Sequence, residues 1–299
     1  MRTCKSGSIR QSGVRKRGPD EEVKGVFCVS YFSLRCGEQL YYQIIGTGSK
    51  TVVMMHGWTS NHEIFQKSAA LLGQDVRCIL YDHRGHGRSK AANLHHVTMD
   101  TLASDLHELL IGLDLHEVTL LGWSMGAGVA MTYVGRYGCE RLKQIVLCDM
   151  TPRQLNDEQW KLGLYKGAYT REDMKRDANR EFFALYEQFA VSAAPTLAGI
   201  PKGVLKMILS RKLRSCDQTV LKGLSASMKA QDNRENIAKI TVPLTYFYAV
   251  PGTLFSPALA DWYREHTGGP YKSVAFPGST HLLVMDAPLS FAANVKRLL

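Results

Sequence analysis

The sequence predicts an α/β protein with a mostly parallel eight-stranded sheet, flanked by helices and carrying a helical insertion after the sixth strand. Three observations carry that expectation. Short β-branched or apolar runs alternate with helical patterns from Val26 onward. The alternation fails between Asp149 and Pro243, where no strand-like run appears. Between those two regimes lies L-L-G-W-S-M-G-A-G, Leu120 to Gly128, an apolar run that must turn abruptly into a helix.

The strand-like runs fall at 26–32, 39–45, 51–55, 76–81, 117–122, 143–148, 243–248 and 271–276. Helical patterns fill 61–73, 98–113, 125–138, 256–267 and 286–299. The first three runs follow one another closely and are expected to pair as a meander. From residue 51 the alternation calls for right-handed crossovers, hence parallel strands with ligands bound at their carboxyl ends. Within 152–236 the pattern reads as short helices: one beginning at E-Q-W-K-L behind the cap candidates Asn156 and Asp157, and others around 171–190, 201–214 and 216–230. So long a helical stretch exceeds an ordinary crossover and suggests a lid over the strand ends. The expected division is a basic tail at 1–25, a core at 26–150 and 237–299, and a helical cap at 151–236.

Composition bounds the function. At 299 residues and 45% apolar content the chain can bury one large core. No apolar run approaches the roughly 18 residues of a membrane span, and Met1 precedes basic and polar residues rather than a signal-peptide core. Of the net charge of +10, six positive charges sit in residues 1–19, which contain no acid up to Pro19; +4 remains for the rest. A basic patch for nucleic acid is therefore not expected on the folded body. The tail reads as a disordered terminus, since Gly7 and Gly13 spoil the amphipathic helix of an organelle-targeting segment. The seven cysteines, at 4, 28, 36, 78, 139, 148 and 216, are scattered singly. Those at 28, 78 and 148 lie in strand-like runs, as free thiols in a reducing compartment would, so a cytoplasmic location is expected.

Gly122-Trp123-Ser124-Met125-Gly126 joins the strand E-V-T-L-L-G to the helix that starts at Met125. A serine in that strand–turn–helix setting stands at the apex of a strained turn, its Oγ clear of the sheet and near a helix N-terminus. With this turn, three further signatures resemble the α/β-hydrolase family over residues 26–299: H-G-W at 56–58 after one strand, Y-D-H-R-G-H-G-R-S at 81–89 after the next, and P-G-S-T-H at 277–281 near the end. The resemblance implies a serine nucleophile, Ser124, served by a histidine base, His281. It also implies an oxyanion hole from the backbone of Trp58 and of Met125, the residue after the nucleophile.

The third partner departs from the family pattern. The loop after the strand before last, Y-A-V-P-G-T-L-F-S-P, has no carboxylate, and Gly252 stands where an aspartate is expected. Asp149 closes the strand after the elbow helix. Neighbouring strands lie about 4.8 Å apart, so it can reach across to the imidazole while keeping the order Ser…Asp…His. Asp82 reads as a turn-stabilising acceptor, and Asp232, Asp261 and Asp286 as helical or capping residues. His83 and His86 are expected to pack or hydrogen-bond within their turn, and His95 and His96 to be solvated. No histidine spacing suits a metal, and no cofactor is implied.

His56, Gly57, Trp123 and Trp160 are expected around the substrate pocket, His56 as a support of the oxyanion loop. Leu164, Phe182, Phe183, Tyr186 and Phe189 add apolar cap positions, most of them packing. A largely apolar pocket favours a small to medium uncharged ester, lactone or related acyl group, and no glycine-rich phosphate loop is present. A serine esterase or lactonase is the leading expectation. The alternatives are carbon–carbon bond hydrolysis or perhydrolysis on the same site, and a non-catalytic ligand-binding relative.

Overall fold

A computed structural model describes residues 27–93 and 96–299. The expected tail at 1–25, Cys4 and His95 lie outside the described residues, as does the side chain of Cys28. Eight strands, β1 (Phe27–Ser33), β2 (Gln39–Ile45), β3 (Lys50–Met55), β4 (Val76–Tyr81), β5 (Val118–Trp123), β6 (Leu142–Cys148), β7 (Leu244–Val250) and β8 (Tyr271–Pro277), form one sheet in the order β1-β2-β4-β3-β5-β6-β7-β8. β1–β2 and β2–β4 pair antiparallel and every other pair is parallel.

The expected three-strand meander is corrected. β3 does not pair with β2, because β4 lies between them. The reason is burial. V-V-M-M at the end of β3 is wholly buried and needs cover on both faces, as a central parallel strand has. β1 exposes Val29 and Tyr31 and sits at the edge.

Helices α1 (Gln66–Leu72), α2 (Met99–Gly112) and α3 (Met125–Tyr137) follow β3, β4 and β5. A capping box of Thr98 and Thr101 starts α2. Helices α4 (Arg171–Asp177), α5 (Phe182–Ala193), α6 (Lys202–Leu213), α7 (Gln218–Ala230) and α8 (Arg234–Ala238) lie between β6 and β7. Then come α9 (Leu259–His266) before β8, and α10 (Leu283–Asp286) and α11 (Pro288–Leu298) after it. One core layer joins α2, α3 and α9 to the sheet; the other joins α1 and α11 to it through Leu72, Phe291 and Val295, with Phe65 just ahead of α1. α8 packs on α3 and α9, so the last turns before residue 238 belong with the core.

The helix expected at E-Q-W-K-L does not form. Residues 157–161 are irregular, with a bend at 158–159, although Asp157 Oδ1 accepts the amides of Gln159 and Trp160 as a capping residue would. Buried Asn156 holds this stretch instead, donating to the carbonyls of Leu164 and Tyr169 and accepting from the Gly163 amide. Of the cysteines, Cys78 and Cys148 are buried, Cys36 is exposed, and Cys139 and Cys216 are half-buried; all five are free. Among the described residues, no helix is long and apolar enough to cross a membrane.

Candidate active site

The chain reverses direction across the sheet at β3: β4 lies on one side of it and β5 on the other. Loops leaving the carboxyl ends of β3 and β5 therefore diverge and leave a crevice, the usual ligand position in such sheets. His56–Trp58 follow β3, and Ser124 follows β5. Ser124 has φ 54° and ψ −120°, outside the relaxed regions for a side-chain-bearing residue. Flanking glycines make the bend feasible. A Cβ on Gly122 would lie 2.3 Å from the Gly126 carbonyl oxygen, and one on Gly126 would lie 2.1 Å from that of Met55.

Ser124 Oγ lies 2.8 Å from His281 Nε2, and His281 Nδ1 lies 2.7 Å from Asp149 Oδ2. Asp149 and His281 are almost fully buried, and Ser124 is 8% exposed. Asp149 directly follows β6 with φ 44°, a left-handed conformation that Asp tolerates better than most residues. Its Oδ1 accepts the Ala249 amide of β7, so the carboxylate crosses one strand to meet a histidine delivered after β8. With hydrogen on Nδ1, His281 donates to Asp149 and accepts from the Ser124 hydroxyl. That arrangement can take the serine proton as the oxygen attacks a carbonyl.

Several residues brace the histidine. Its amide donates to Thr253 Oγ1 at 2.9 Å and to the Ala193 carbonyl of α5 at 3.2 Å. Its carbonyl accepts from Trp123 Nε1 at 2.8 Å, and the rings of Trp123, Phe189 and Phe255 surround it. The loop of Gly252, which has no acid, thus holds the histidine backbone through Thr253. Sequence reasoning misses that threonine, having no spacing by which to find it.

The Met125 amide opens α3, and the first amides of a helix have no intrahelical acceptor. The Trp58 amide donates to no carbonyl in the turn and loop bonds of the described residues. Its loop presses on the elbow: a Cβ on Gly57 would come within 3.1 Å of Ser124 Cβ. The Trp58 indole donates to the Leu221 carbonyl of α7, and Phe182, Tyr186 and Phe189 of α5 meet its ring edge-to-face.

Ser124 and Trp58 open into a cavity of about 570 Å³, within the usual range for small-molecule sites. Leu164, Phe182, Phe189, Leu254 and Phe255 contribute apolar walls. Four residues expected on those walls lie elsewhere. His56 is fully buried behind the loop, bonded to the Gly57 carbonyl and the His83 amide. Gly57 is stacked against Trp123, which is turned beneath His281. Trp160 faces the core, donating to the Arg153 carbonyl and meeting Trp262 edge-to-face. Its segment is not helical, so helical spacing misplaces it.

Beneath the loop, His56, His83 and His86 cluster with ring centroids 4.5–6.5 Å apart. Burial drives His56 well below the ordinary histidine value, and takes His83 down to about 3 and His86 to about 4. His86 does bond within its turn, to the Arg84 carbonyl. Among the described residues neither ring nitrogen of His83 has a hydrogen-bond partner. Asp82 accepts from the His62 amide and ring and the Arg88 amide; burial alone would raise its pKa, but these bonds hold it below the usual value. Asp232 pairs with Arg234, Asp261 with Arg264, and Asp286 accepts from Thr280. His96 is exposed. Among the described residues no cluster of three or more His, Cys, Asp or Glu has a geometry that could hold a metal.

Comparison with known proteins places this geometry in a family. A non-heme chloroperoxidase, CPO-A1, from Kitasatospora aureofaciens is 40% identical over 119 residues, but the match spans only 40% of this chain and 42% of that protein. A pimeloyl-acyl-carrier-protein methyl ester esterase from Pectobacterium atrosepticum is 26% identical over 265 residues, 86% of this chain and 96% of the relative. Among solved structures, an esterase, EaEST, from Exiguobacterium antarcticum superposes with a TM-score of 0.76 at 22% identity, covering 90% of this chain and 98% of that one. Residues 50–287 match the family described as the alpha/beta hydrolase fold, and with most of its length so matched the chain belongs to that family.

Proposed function

We propose that this protein is a serine hydrolase that cleaves a carboxylic ester, lactone or related acyl bond without a cofactor. The observation that carries the reading is the unbroken chain Asp149–His281–Ser124, with the serine oxygen opening into a cavity. Ser124 Oγ attacks the acyl carbonyl while His281 Nε2 takes its proton; Asp149 holds the imidazole in the right tautomer and balances its transient charge. The amides of Trp58 and Met125 receive the developing oxyanion. His281 returns the proton to the leaving alcohol, leaving an acyl-enzyme. A water, deprotonated by the same imidazole, then releases the acid. The insertion from residue 151 through α7 acts as a cap over the cavity, with α8 left to the core.

Labelling by a fluorophosphonate probe tests the nucleophile. Wild type should label, while Ser124→Ala should not and His281→Ala should label at least a hundredfold more slowly. An unlabelled wild type would remove the reading. A panel of acyl esters and lactones then identifies the bond cleaved. The chloroperoxidase relative favours a second outcome on the same acyl-enzyme, attack by hydrogen peroxide in place of water to release a peracid. Peracid formation from ester and peroxide, measured against plain hydrolysis, separates the two.

A further inference from the structure

The cavity lining is of two kinds. Trp58, Phe182, Leu185 and Phe189 give it an apolar stretch. Beside them α7 turns Lys222, Ser225, Ala226 and Lys229 to the cavity, the i, i+3, i+4, i+7 face of a helix, while Val220, Leu221 and Leu224 stay buried. The charged groups on the lining are Arg180, Lys222, Lys229 and a single acid, Asp177. That acid is already engaged, accepting from the Tyr169 hydroxyl at 2.9 Å and from Arg180 at 3.1 Å. Two lysines remain in surplus on the lining, Lys222 having the exposed Glu181 carboxylate near it off the lining and Lys229, among the described residues, no acid nearer than Asp177. Lys222 Nζ stands 5.5 Å over the Phe182 ring and Lys229 Nζ 5.2 Å over that of Tyr169; neither joins an ion pair among the described residues. Lys229 is half-buried, and burial pushes its ammonium below the usual lysine range, with Asp177 opposing from a distance. A partly desolvated cation without a bonded counter-ion, facing a cavity, attracts an anion far more strongly than one in open water.

We propose that the cavity takes acyl substrates bearing a carboxylate remote from the bond to be cleaved. The apolar chain lies along the α5 wall, the carboxylate meets Lys229, and exposed Lys222 at the rim draws it in. Each lysine offers a compact point charge with three rotatable donors, enough to meet a single carboxylate at the end of a flexible chain. The inference rests on the proposed serine chemistry only for which end of the substrate is cleaved. It replaces the uncharged substrate expected from the sequence.

Two esters of equal acyl length test it: the 4-nitrophenyl monoester of adipic acid and 4-nitrophenyl hexanoate. The ratio of their kcat/KM values should exceed about ten in favour of the carboxylate, fall towards one in Lys222→Met/Lys229→Met, and persist in Lys222→Arg/Lys229→Arg. Lys206→Met, outside the cavity, should keep the wild-type ratio. A wild-type ratio at or below one overturns the proposal, as does a double methionine variant that slows both esters alike. Calorimetry on Ser124→Ala separates this from the reading of the nucleophile. Monomethyl adipate should bind at least tenfold more tightly than methyl hexanoate whether or not either ester is turned over, and equal affinities would refute the carboxylate site.

Discussion

Replacing Asp149 with asparagine changes one atom of a buried chain. The new side-chain amide would keep an acceptor oxygen for the Ala249 N–H, so the strand junction of β6 and β7 should survive. What goes is the negative charge 2.7 Å from His281 Nδ1, in a site where both partners are about 1–2% exposed and the other neighbours are the rings of Trp123, Phe189 and Phe255. Among the described residues no second carboxylate bonds to the His281 ring to replace it. At an effective dielectric constant of about 20, opposite charges about 4 Å apart attract by about 4 kcal/mol, roughly a thousandfold in rate. An amide nitrogen facing Nδ1 would also favour the tautomer with hydrogen on Nε2, which cannot accept from Ser124; the same exchange in serine proteases costs about 10⁴ in kcat. A loss of 10³ to 10⁴ in kcat on 4-nitrophenyl hexanoate is therefore expected, with circular dichroism and Tm close to wild type. A fully folded variant retaining more than a tenth of wild-type kcat would refute the role given to this carboxylate.

Three further outcomes follow from the same geometry. Gly252→Asp in an Asp149→Asn background should not restore turnover, because Gly252 has φ 79° and a Cβ there would lie 2.3 Å from the Phe255 carbonyl oxygen; recovery above one per cent of wild-type kcat would show that the loop yields. Gly126→Ala should cost about 3 kcal/mol of stability in urea unfolding, since its methyl group would drive into the Met55 carbonyl at the elbow, and a midpoint unchanged from wild type would contradict this. His56, His83 and His86, held neutral in the folded protein and free to take a proton when unfolded, should weaken the fold as pH falls from about 6.5 towards 4. Each can contribute up to about 1.4 kcal/mol per pH unit, so urea midpoints equal at pH 7 and pH 5 would exclude the effect.

Much of the fold is legible in the sequence because its signals are local. Continuous apolar runs bounded by turn residues mark the buried strands, and the glycines at 122 and 126 mark a bend where no side chain fits. Strand order is not local, and the position of β3 beyond β4 depends on which run needs cover on both faces. At the site, chain order and resemblance single out Ser124 and His281, and the bare loop at Gly252 directs attention to Asp149. Pocket walls are less legible. Adjacency to the nucleophile does not decide which way a ring points, so Trp123 supports the histidine from below. Helical spacing misassigns Trp160, which lies in a stretch that Asn156 holds as irregular turns. The cationic face of α7 is readable from Lys222, Ser225 and Lys229 once a helix is expected there, yet a search for apolar spacing passes over it.

The helical insertion is fastened to the chemistry at two separate points: the Leu221 carbonyl receives the Trp58 indole, and the Ala193 carbonyl receives the His281 amide. One tie reaches the loop opposite the nucleophile, the other the backbone of its partner. Grafting this insertion onto a related scaffold, or exchanging it for a relative's, would therefore disturb reactivity as well as selectivity. Its evolution is tethered to that of the sheet beneath, and new substrates are more readily gained by single changes along its inner surface than by wholesale replacement.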